Sequence, residues 1–565
     1  MKKIAVLDTE TDPFLYDRIP KPFAVGYYNG ESYYEFFGDD CIDLFINYLD
    51  DLEPEEKDEL IVYAHNGGKF DFHFFIKYLD TDMIVINGRL AEIKICGVTF
   101  RDSYLLLPLP LSCYKKDEID YAIFEKEERY KPKNLSEIKA YLKDDCIYLH
   151  EWLTKFAARF DNPLTLPSAS FKQLKETGYK VVNTNIRYDD HFRPYYYGGR
   201  TEVFQSGVFK GDTVYFDINS AYPRAMLEWH PYGASYISMT FLPESGMYFA
   251  NILAISKGAL PFRNEQGFLT FPSDDIPREY FVTSWEIEAG LRTNTLKIIN
   301  VIECIQHEKT YPFTDFVNKF YKEKSDCKKA GDKDGETFAK LILNSCYGKF
   351  ALNSRLFKKY CITPKGFLPP ELLEWYAIYK VESMNDLKEA IVFDDTIEDH
   401  QADERLKVLS WEICNDIDDF TIWQRDEPSN RFYNTATAAS ITGYVRAFMW
   451  ETICNSEGVI YCDTDSIMCE KFHGKESELL GDWKLECVFD ELYVGGKKLY
   501  TGHIKDTKIN GENNWKKASK GSRLEYNEII EIVRDNKTIN WTNQAPSFSL
   551  KHGARFIDRN IKKTV

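Results

Sequence analysis

The segment VIYCDTDSIMCE, residues 459–470, constrains the fold of this chain more than any other. Two apolar arms flank an acidic centre, the pattern of a β-hairpin presenting Asp463 and Asp465 at its tip. A second apolar strand, in TVYFDINSAYPRAM, ends on Asp217. A turn after it places Ser220, Tyr222 and Pro223 at the start of a helix, where backbone N–H groups favour a polyphosphate. Carboxylates gathered in one place repel each other unless cations lie between them. Oxygen-only ligands suit Mg²⁺, with Mn²⁺ the alternative. Asp217 and Asp465 together are therefore candidates to bind two such ions.

The chain around these strands has 565 residues, far too many for one hydrophobic core, so several domains are expected. No apolar run reaches the length needed to span a bilayer. The start, MKKIAVLDTETD, has carboxylates soon after its apolar residues and reads as a first strand, not a signal peptide. The 13 cysteines form no CxxC pair, which argues against a zinc site or disulfide framework and for reduced thiols in a cytosol.

A net charge of −18 argues against a nucleic-acid partner until its distribution is considered. Residues 491–565 hold 15 Lys and Arg against 8 Asp and Glu, a basic end able to grip a phosphate backbone. Residues 381–430 hold 15 acids against 4 bases. This acidic stretch reads as a solvated insertion, with docking of a basic partner as the rival reading.

Near the N-terminus, Asp8 and Glu10 lie two apart on a strand and leave the same face. Asp71 follows in HNGGKFDFHFF, where an apolar strand hands over to a helical segment. Asp145 lies one helical turn after Tyr141 in YLKDDCIYL. Four acids and a tyrosine from separate segments could hold two metals about 4 Å apart and activate a water for phosphodiester attack. Taken singly, a DTE on a strand is more often a surface hairpin. The stretch DNPLTLPSAS, 161–170, reads as a linker, and 314–356 as helical from Phe316 through Phe338, Leu341 and Tyr347. In KLILNSCYGKF, the residues Lys340, Asn344 and Tyr347 are spaced to share one helix face.

The order DTE, N-x-x-x-F-D, Y-x-x-x-D resembles the three exonuclease motifs of family-B DNA polymerases. By that resemblance Asp8, Glu10, Asp71 and Asp145 bind metals, Tyr141 orients the attacking water, and Thr11, Asn66, Phe70 and Ser103 hold a frayed single-stranded 3′ end. The later segments resemble the polymerase motifs DxxSLYP, KxxxNSxYG and YxDTDS, with Ala221 where the first usually has Leu. The resemblance makes Asp217, Asp463 and Asp465 catalytic, with Asp217, Asp465 and Ile218 as metal ligands. It assigns nucleotide binding to Ile218, Ser220, Ala221, Tyr222, Lys340, Asn344, Tyr347 and Gly348, with Tyr222 excluding a 2′-OH. It implies DNA contacts at Thr464 and Ser466, at Tyr196, Gly198 and Gly199 of a Y-x-G-G segment, and at Lys498 and Tyr500 of a K-x-Y motif. Tyr493 and Lys497 receive no role.

The expected fold is α/β and α+β multidomain, an RNase H-like exonuclease followed by a right-hand polymerase with two insertions. The exonuclease takes residues 1–163, a linker and first part of the palm 164–223, and the palm with its first insertion 224–313. The fingers take 314–356, the second insertion 357–430, the rest of the palm 431–499 and the thumb 500–565. Short length and two insertions resemble the protein-primed branch of small tailed phages and linear plasmids. That implies a terminal protein as primer, besides template and primer DNA and dNTPs, with strand displacement by the second insertion, and a monomer without membrane attachment is expected. A family-B enzyme using only nucleic-acid primers remains the alternative, ahead of a dedicated nuclease or a degenerate DNA-binding protein.

Overall fold

The computed structural model describes residues 2–14, 18–116, 118–381, 386–387, 389–390, 410–427, 433–505 and 514–564. Much of the acidic 381–430 stretch lies outside the described residues. The chain forms two compact units, one of residues 1–169, 353–429 and 544–558, the other of 170–352, 430–543 and 559–565. No helix among the described residues is long and apolar enough to cross a membrane.

The first unit is built on a ten-stranded sheet. Its strands run in the order Glu412–Ile417, Phe420–Asp426, Lys358–Pro364, Leu79–Ile86, Arg89–Ile95, Val98–Asp102, Leu60–Ala64, Lys3–Thr11, Pro22–Tyr28 and Tyr33–Phe37. Lys3–Thr11 pairs in parallel with Leu60–Ala64, which pairs in parallel with Val98–Asp102. The strand Lys358–Pro364 joins antiparallel to Leu79–Ile86 at Tyr360 and Met83, so residues 358–426 extend this sheet. Alternation along KIAVLDTET sends Ala5 and Leu7 into a core with Val62, Phe45, Phe72 and Phe100.

Helix Pro132–Phe160 starts on proline, whose missing N–H costs nothing at a helix start. It buries Ile138, Leu142, Cys146, Leu149, Leu153 and Phe156 at helical spacing. At Gly26 a Cβ would lie 2.8 Å from Leu142 Cγ, so glycine is what lets this helix approach the sheet. The helix stops at Asp161 (φ 65), and a new one runs Leu166–Glu176. The second half of the expected linker is thus helical.

In the second unit a seven-stranded antiparallel sheet has the order Trp515–Ser519, Leu499–Ile504, Trp483–Gly496, Gly207–Ile218, Ser466–Lys471, Glu457–Thr464, Arg200–Val203. Helix Thr435–Asn455 is buried nearly all round. Its Gly443 allows the approach to Thr283, whose Oγ1 would stand 2.5 Å from a Cβ there. A four-stranded sheet orders Tyr236–Met239, Leu296–His307, Tyr248–Ser256 and Arg278–Thr283.

The expected helical stretch 314–356 is divided. Thr314–Ala330 ends at Gly331 in the left-handed region (φ 75), and Asp332 caps Lys333–Ser345 by accepting from the Gly335 N–H. Lys340 and Asn344 are exposed on that second helix, but Tyr347 opens a separate 3₁₀ turn, Tyr347–Ala351.

Candidate active sites

Each unit carries a carboxylate site. In the first, strand Lys3–Thr11 delivers Asp8 and Glu10, the 3₁₀ segment Asp71–Tyr78 begins with Asp71, and helix Pro132–Phe160 brings Tyr141 and Asp145. These residues line one cleft of about 490 Å³ together with Thr9, His65, Asn66, Phe70 and Lys116. Glu10, Asp71 and Asp145 are buried and Asp8 half-buried. Thr9 Oγ1 donates to Asp71 Oδ1 at 2.5 Å, and Lys116 Nζ meets Asp145 Oδ2 at 2.6 Å.

Crowding marks the charges of this cleft. Burial, then Glu10, Asp71 and Asp145, hold Asp8 well above the usual carboxylate range. Burial and Asp145 push Glu10 up to about 8, and burial lifts Asp71 to about 6. Glu10 Oε1 is buried without a hydrogen-bond partner. An orphaned carboxylate oxygen among acids that resist ionisation fits a divalent cation and its all-oxygen donor preference. Among the described residues no group of three or more histidines, cysteines or acids has the close geometry of a filled metal site.

The remaining expected contacts of this site divide. Asn66 and Phe70 line the cleft. Thr11 and Ser103 do not. Thr11 Oγ1 donates to the Asp12 carbonyl, and Ser103 Oγ sits 3.0 Å from His65 Nδ1 behind the wall.

In the second unit the hairpin Glu457–Thr464 and Ser466–Lys471 turns at Thr464 (φ 63), with Asp465 at the tip. Ser466 pairs directly with Asp217, and the Ile218 N–H donates to the Asp465 carbonyl at 2.8 Å. That register sets Asp217 and Asp465 side by side. Burial, then Asp465, raises Asp217 to about 7, while burial and Asp463 raise Asp465 to about 6. Asp463 itself is compensated by Lys498 Nζ at 2.9 Å and the Thr201 hydroxyl at 3.0 Å. Ile218 is a buried aliphatic residue, so only its carbonyl has ligand character.

Ser220 adopts φ 59 before the short helix Ala221–Ala225, and the Tyr222 ring stacks on Tyr347 at 4.3 Å and 10°. Tyr500 is buried against Tyr461, their rings 5.5 Å apart. Gly199 is set against the hairpin tip, where a Cβ would fall 2.6 Å from the Thr464 side chain, whereas Gly198 is open to solvent and Tyr196 half-buried.

Sequence reasoning missed three residues that hold these sites. Lys116 comes from a loop, where KKDE looks like any solvated charge run. Tyr121 meets Tyr141 hydroxyl to hydroxyl at 3.3 Å. In the second unit Arg446 is buried, pairs with Glu286 at 2.7 Å, and donates to the carbonyls of Tyr197 and Gly198 at 2.7 and 2.8 Å. Removing one partner of such a pair costs about 3–5 kcal/mol. An arginine in the middle of a continuous buried helix was the available signal.

Comparison with known proteins agrees across the chain. The family model described as DNA polymerase type B, organellar and viral, matches residues 109–387. The DNA-directed DNA polymerase of Enterobacteria phage PRD1 is 35% identical over 595 residues, covering 100% of this chain and 98% of that protein. The DNA polymerase of Bacillus phage phi29 is 25% identical over 388 residues, covering 59% of this chain and 65% of that one. The solved structure of phi29 DNA polymerase complexed with primer-template DNA and incoming nucleotide substrates superposes with a TM-score of 0.72 at 17% identity, covering 99% of this chain and 100% of that one, a likeness of fold.

Proposed function

This chain belongs to the organellar and viral DNA polymerases of type B, and we propose that it couples template-directed DNA synthesis in its second unit to 3′–5′ excision in its first. The observation that carries the synthetic assignment is the pairing of Ser466 with Asp217, which places Asp217 beside Asp465. These two carboxylates and the Ile218 carbonyl would hold Mg²⁺, with Mn²⁺ the alternative. Bound there, the ions supply activation of a primer 3′-OH and neutralise the pyrophosphate leaving group. Lys498 holds Asp463 in an ion pair and offsets part of the repulsion that Asp463 adds at Asp465. The Tyr222 and Tyr347 rings stack on each other, which supports a role for the pair against the sugar and base of an incoming dNTP, Tyr222 as the residue that excludes a 2′-OH. Lys340 and Asn344 project from an exposed helix face suited to a triphosphate.

In the first unit Asp8, Glu10, Asp71 and Asp145 would hold the excision ions. Tyr141 orients the attacking water, and Asn66 and Phe70 grip the unpaired end, Phe70 by stacking on a base. Likeness to the polymerases of phages PRD1 and phi29 supports priming from a terminal protein, and we propose with it action as a monomer in a host cytoplasm. Strand displacement is assigned to the second insertion. Replacing residues 391–409 by a short glycine–serine linker spares the sheet strands 412–426 and should shorten products on nicked circles while leaving gap filling intact. Equal loss of both would refute that assignment.

The decisive experiment is a 5′-labelled primer–template with Mg²⁺, with and without dNTPs, using wild type and Asp217→Asn. Extension with dNTPs, shortening without them, and loss of extension alone in the variant are expected. Shortening in every wild-type lane would leave only a nuclease.

A further inference from the structure

Asn66 stands at the cleft of the first unit in the left-handed region (φ 63), between strand Leu60–Ala64 and the turn Gly67–Lys69. A side-chain amide can present either its oxygen or its NH₂ to a ligand, and the two choices are chemically opposite. The backbone of a single-stranded DNA end offers mainly acceptor oxygens. Only the NH₂ can serve it.

Arg89 decides the matter. Its Nη1 donates to Asn66 Oδ1 at 2.8 Å and to Asp102 Oδ2 at 2.5 Å. A guanidinium has donors and no acceptor, so the Asn66 atom it meets is the oxygen. The Asn66 NH₂ has no hydrogen-bond partner among the described residues, and Asn66 lines the cleft.

Arg89 is itself fixed from behind. Asp102, at the end of strand Val98–Asp102, is fully buried. Its Oδ2 also accepts from the Gly68 N–H at 3.1 Å and its Oδ1 from the Tyr104 N–H at 3.0 Å. The Tyr104 ring lies 5.0 Å from the guanidinium carbon. Gly68 has no room for a side chain: a Cβ would stand 2.1 Å from the Leu90 carbonyl and 2.7 Å from Arg89 Cγ. The turn carrying Asn66 is therefore packed directly on the Asp102–Arg89 pair.

We propose that Arg89 is a positioning residue: anchored by buried Asp102, it turns the Asn66 amide so that its NH₂ points into the cleft as a donor to the phosphate or sugar oxygens of a single-stranded 3′ end. The inference rests on the excision reading of this cleft, and extends it to a residue that does not touch the DNA. Arg89 acts on binding and leaves the carboxylates alone.

The test is a double-mutant cycle in the full chain with Arg89→Ala, Asn66→Ala and the pair. One readout is excision of a 5′-labelled single-stranded oligonucleotide with Mg²⁺ over a concentration series, the other an anisotropy titration of the same oligonucleotide in EDTA. Each single substitution should raise the half-saturating concentration about tenfold, the scale of one hydrogen bond to a charged group, and Arg89→Ala should keep the maximal rate within about twofold. The double variant should be no weaker than Asn66→Ala alone. Additive losses, or a fall in maximal rate at unchanged half-saturation, would overturn the proposal. If Arg89→Ala leaves Asp102 too exposed to fold, Arg89→Lys, whose ammonium also only donates, keeps a cation on Asp102 and should bind the oligonucleotide at least as well as Asn66→Ala; an affinity below that of Asn66→Ala would count equally against the proposal. A wild type that shortens nothing refutes the excision reading, and the anisotropy titration then decides this proposal by itself, equal affinities for wild type and Arg89→Ala refuting it.

Discussion

In the first unit Asp8, Glu10, Asp71 and Asp145 crowd one cleft with Lys116 against Asp145. In the second, Asp217 and Asp465 stand together while Asp463 is already paired with Lys498. The crowded site holds Glu10 up to about 8, whereas the partly compensated one holds Asp217 to about 7 and Asp465 to about 6. Burial is the largest cause at each of these groups, and neighbouring carboxylates add repulsion at Asp8, Glu10, Asp217 and Asp465, a part that a cation would relieve. On the proposed reading, the more repulsion a cluster holds, the more it would need its ions and the more a proton would compete with them.

The largest test of this comparison is to remove one carboxylate from each site. Asp8→Ala should lower excision by about 10³-fold or more and leave extension within about twofold, and Asp465→Ala should do the reverse. Labelled primer–templates with and without dNTPs read both, and a variant losing both activities would show that the sites are not independent.

Removing the lysines comes next. Lys116→Ala removes the cation at Asp145 Oδ2 and should cut excision about 10- to 100-fold, and Lys498→Ala, which withdraws a cation from Asp463 and Asp465, should cut extension about tenfold. Single-turnover rates distinguish these from weaker DNA binding.

Acidity should separate the sites further. Glu10 near 8 is largely protonated at neutral pH without a cation, so ion binding there must expel a proton and weakens as pH falls. Half-saturating Mg²⁺ for excision should rise up to about tenfold per unit below about pH 8, and for extension only below about pH 7. Parallel Mg²⁺ curves between pH 6 and 9 would break the comparison.

The smallest effect is on stability. A carboxyl raised in the folded state ionises more readily in the unfolded chain, so its cost is absent below about pH 4 and grows as pH rises toward the folded value. Asp8→Asn should therefore stabilise the chain in EDTA by about 1–2 kcal/mol at pH 8, a rise of about 2–4 °C in Tm. The gain should shrink at pH 5.5 and on adding Mg²⁺ to wild type. Asp465→Asn should gain less, because Asp465 is raised only to about 6.

What could be read from residues alone was local. Asp8 and Glu10 share a face because strand side chains alternate, Tyr141 and Asp145 because a helix turns in about 3.6 residues, and Asp463 and Asp465 bracket a hairpin tip because apolar arms flank them. Reading the same rule past Ser345 failed for Tyr347, because Cys346 ends the helix and a tighter turn begins. Lys116 and Tyr121 gave no comparable sign, and Arg446 showed only as a charge within an apolar helix. Their meaning lies in partners 20 to 249 residues away, and no periodicity connects a loop lysine to Asp145 or a helix arginine to Glu286 and Tyr197.

The sequence by itself determined which carboxylates end strands, which face of each element is apolar, and the order of the six motifs, since these depend on chain geometry over a few residues. Tertiary structure alone decided that Ser466 lies opposite Asp217, that strands 358–426 extend the first unit's sheet, and that Lys498 cancels Asp463 while Glu10 keeps an unpaired oxygen. Register and charge compensation are set by where distant segments pack, and the same local pattern is compatible with many such pairings until the core selects one.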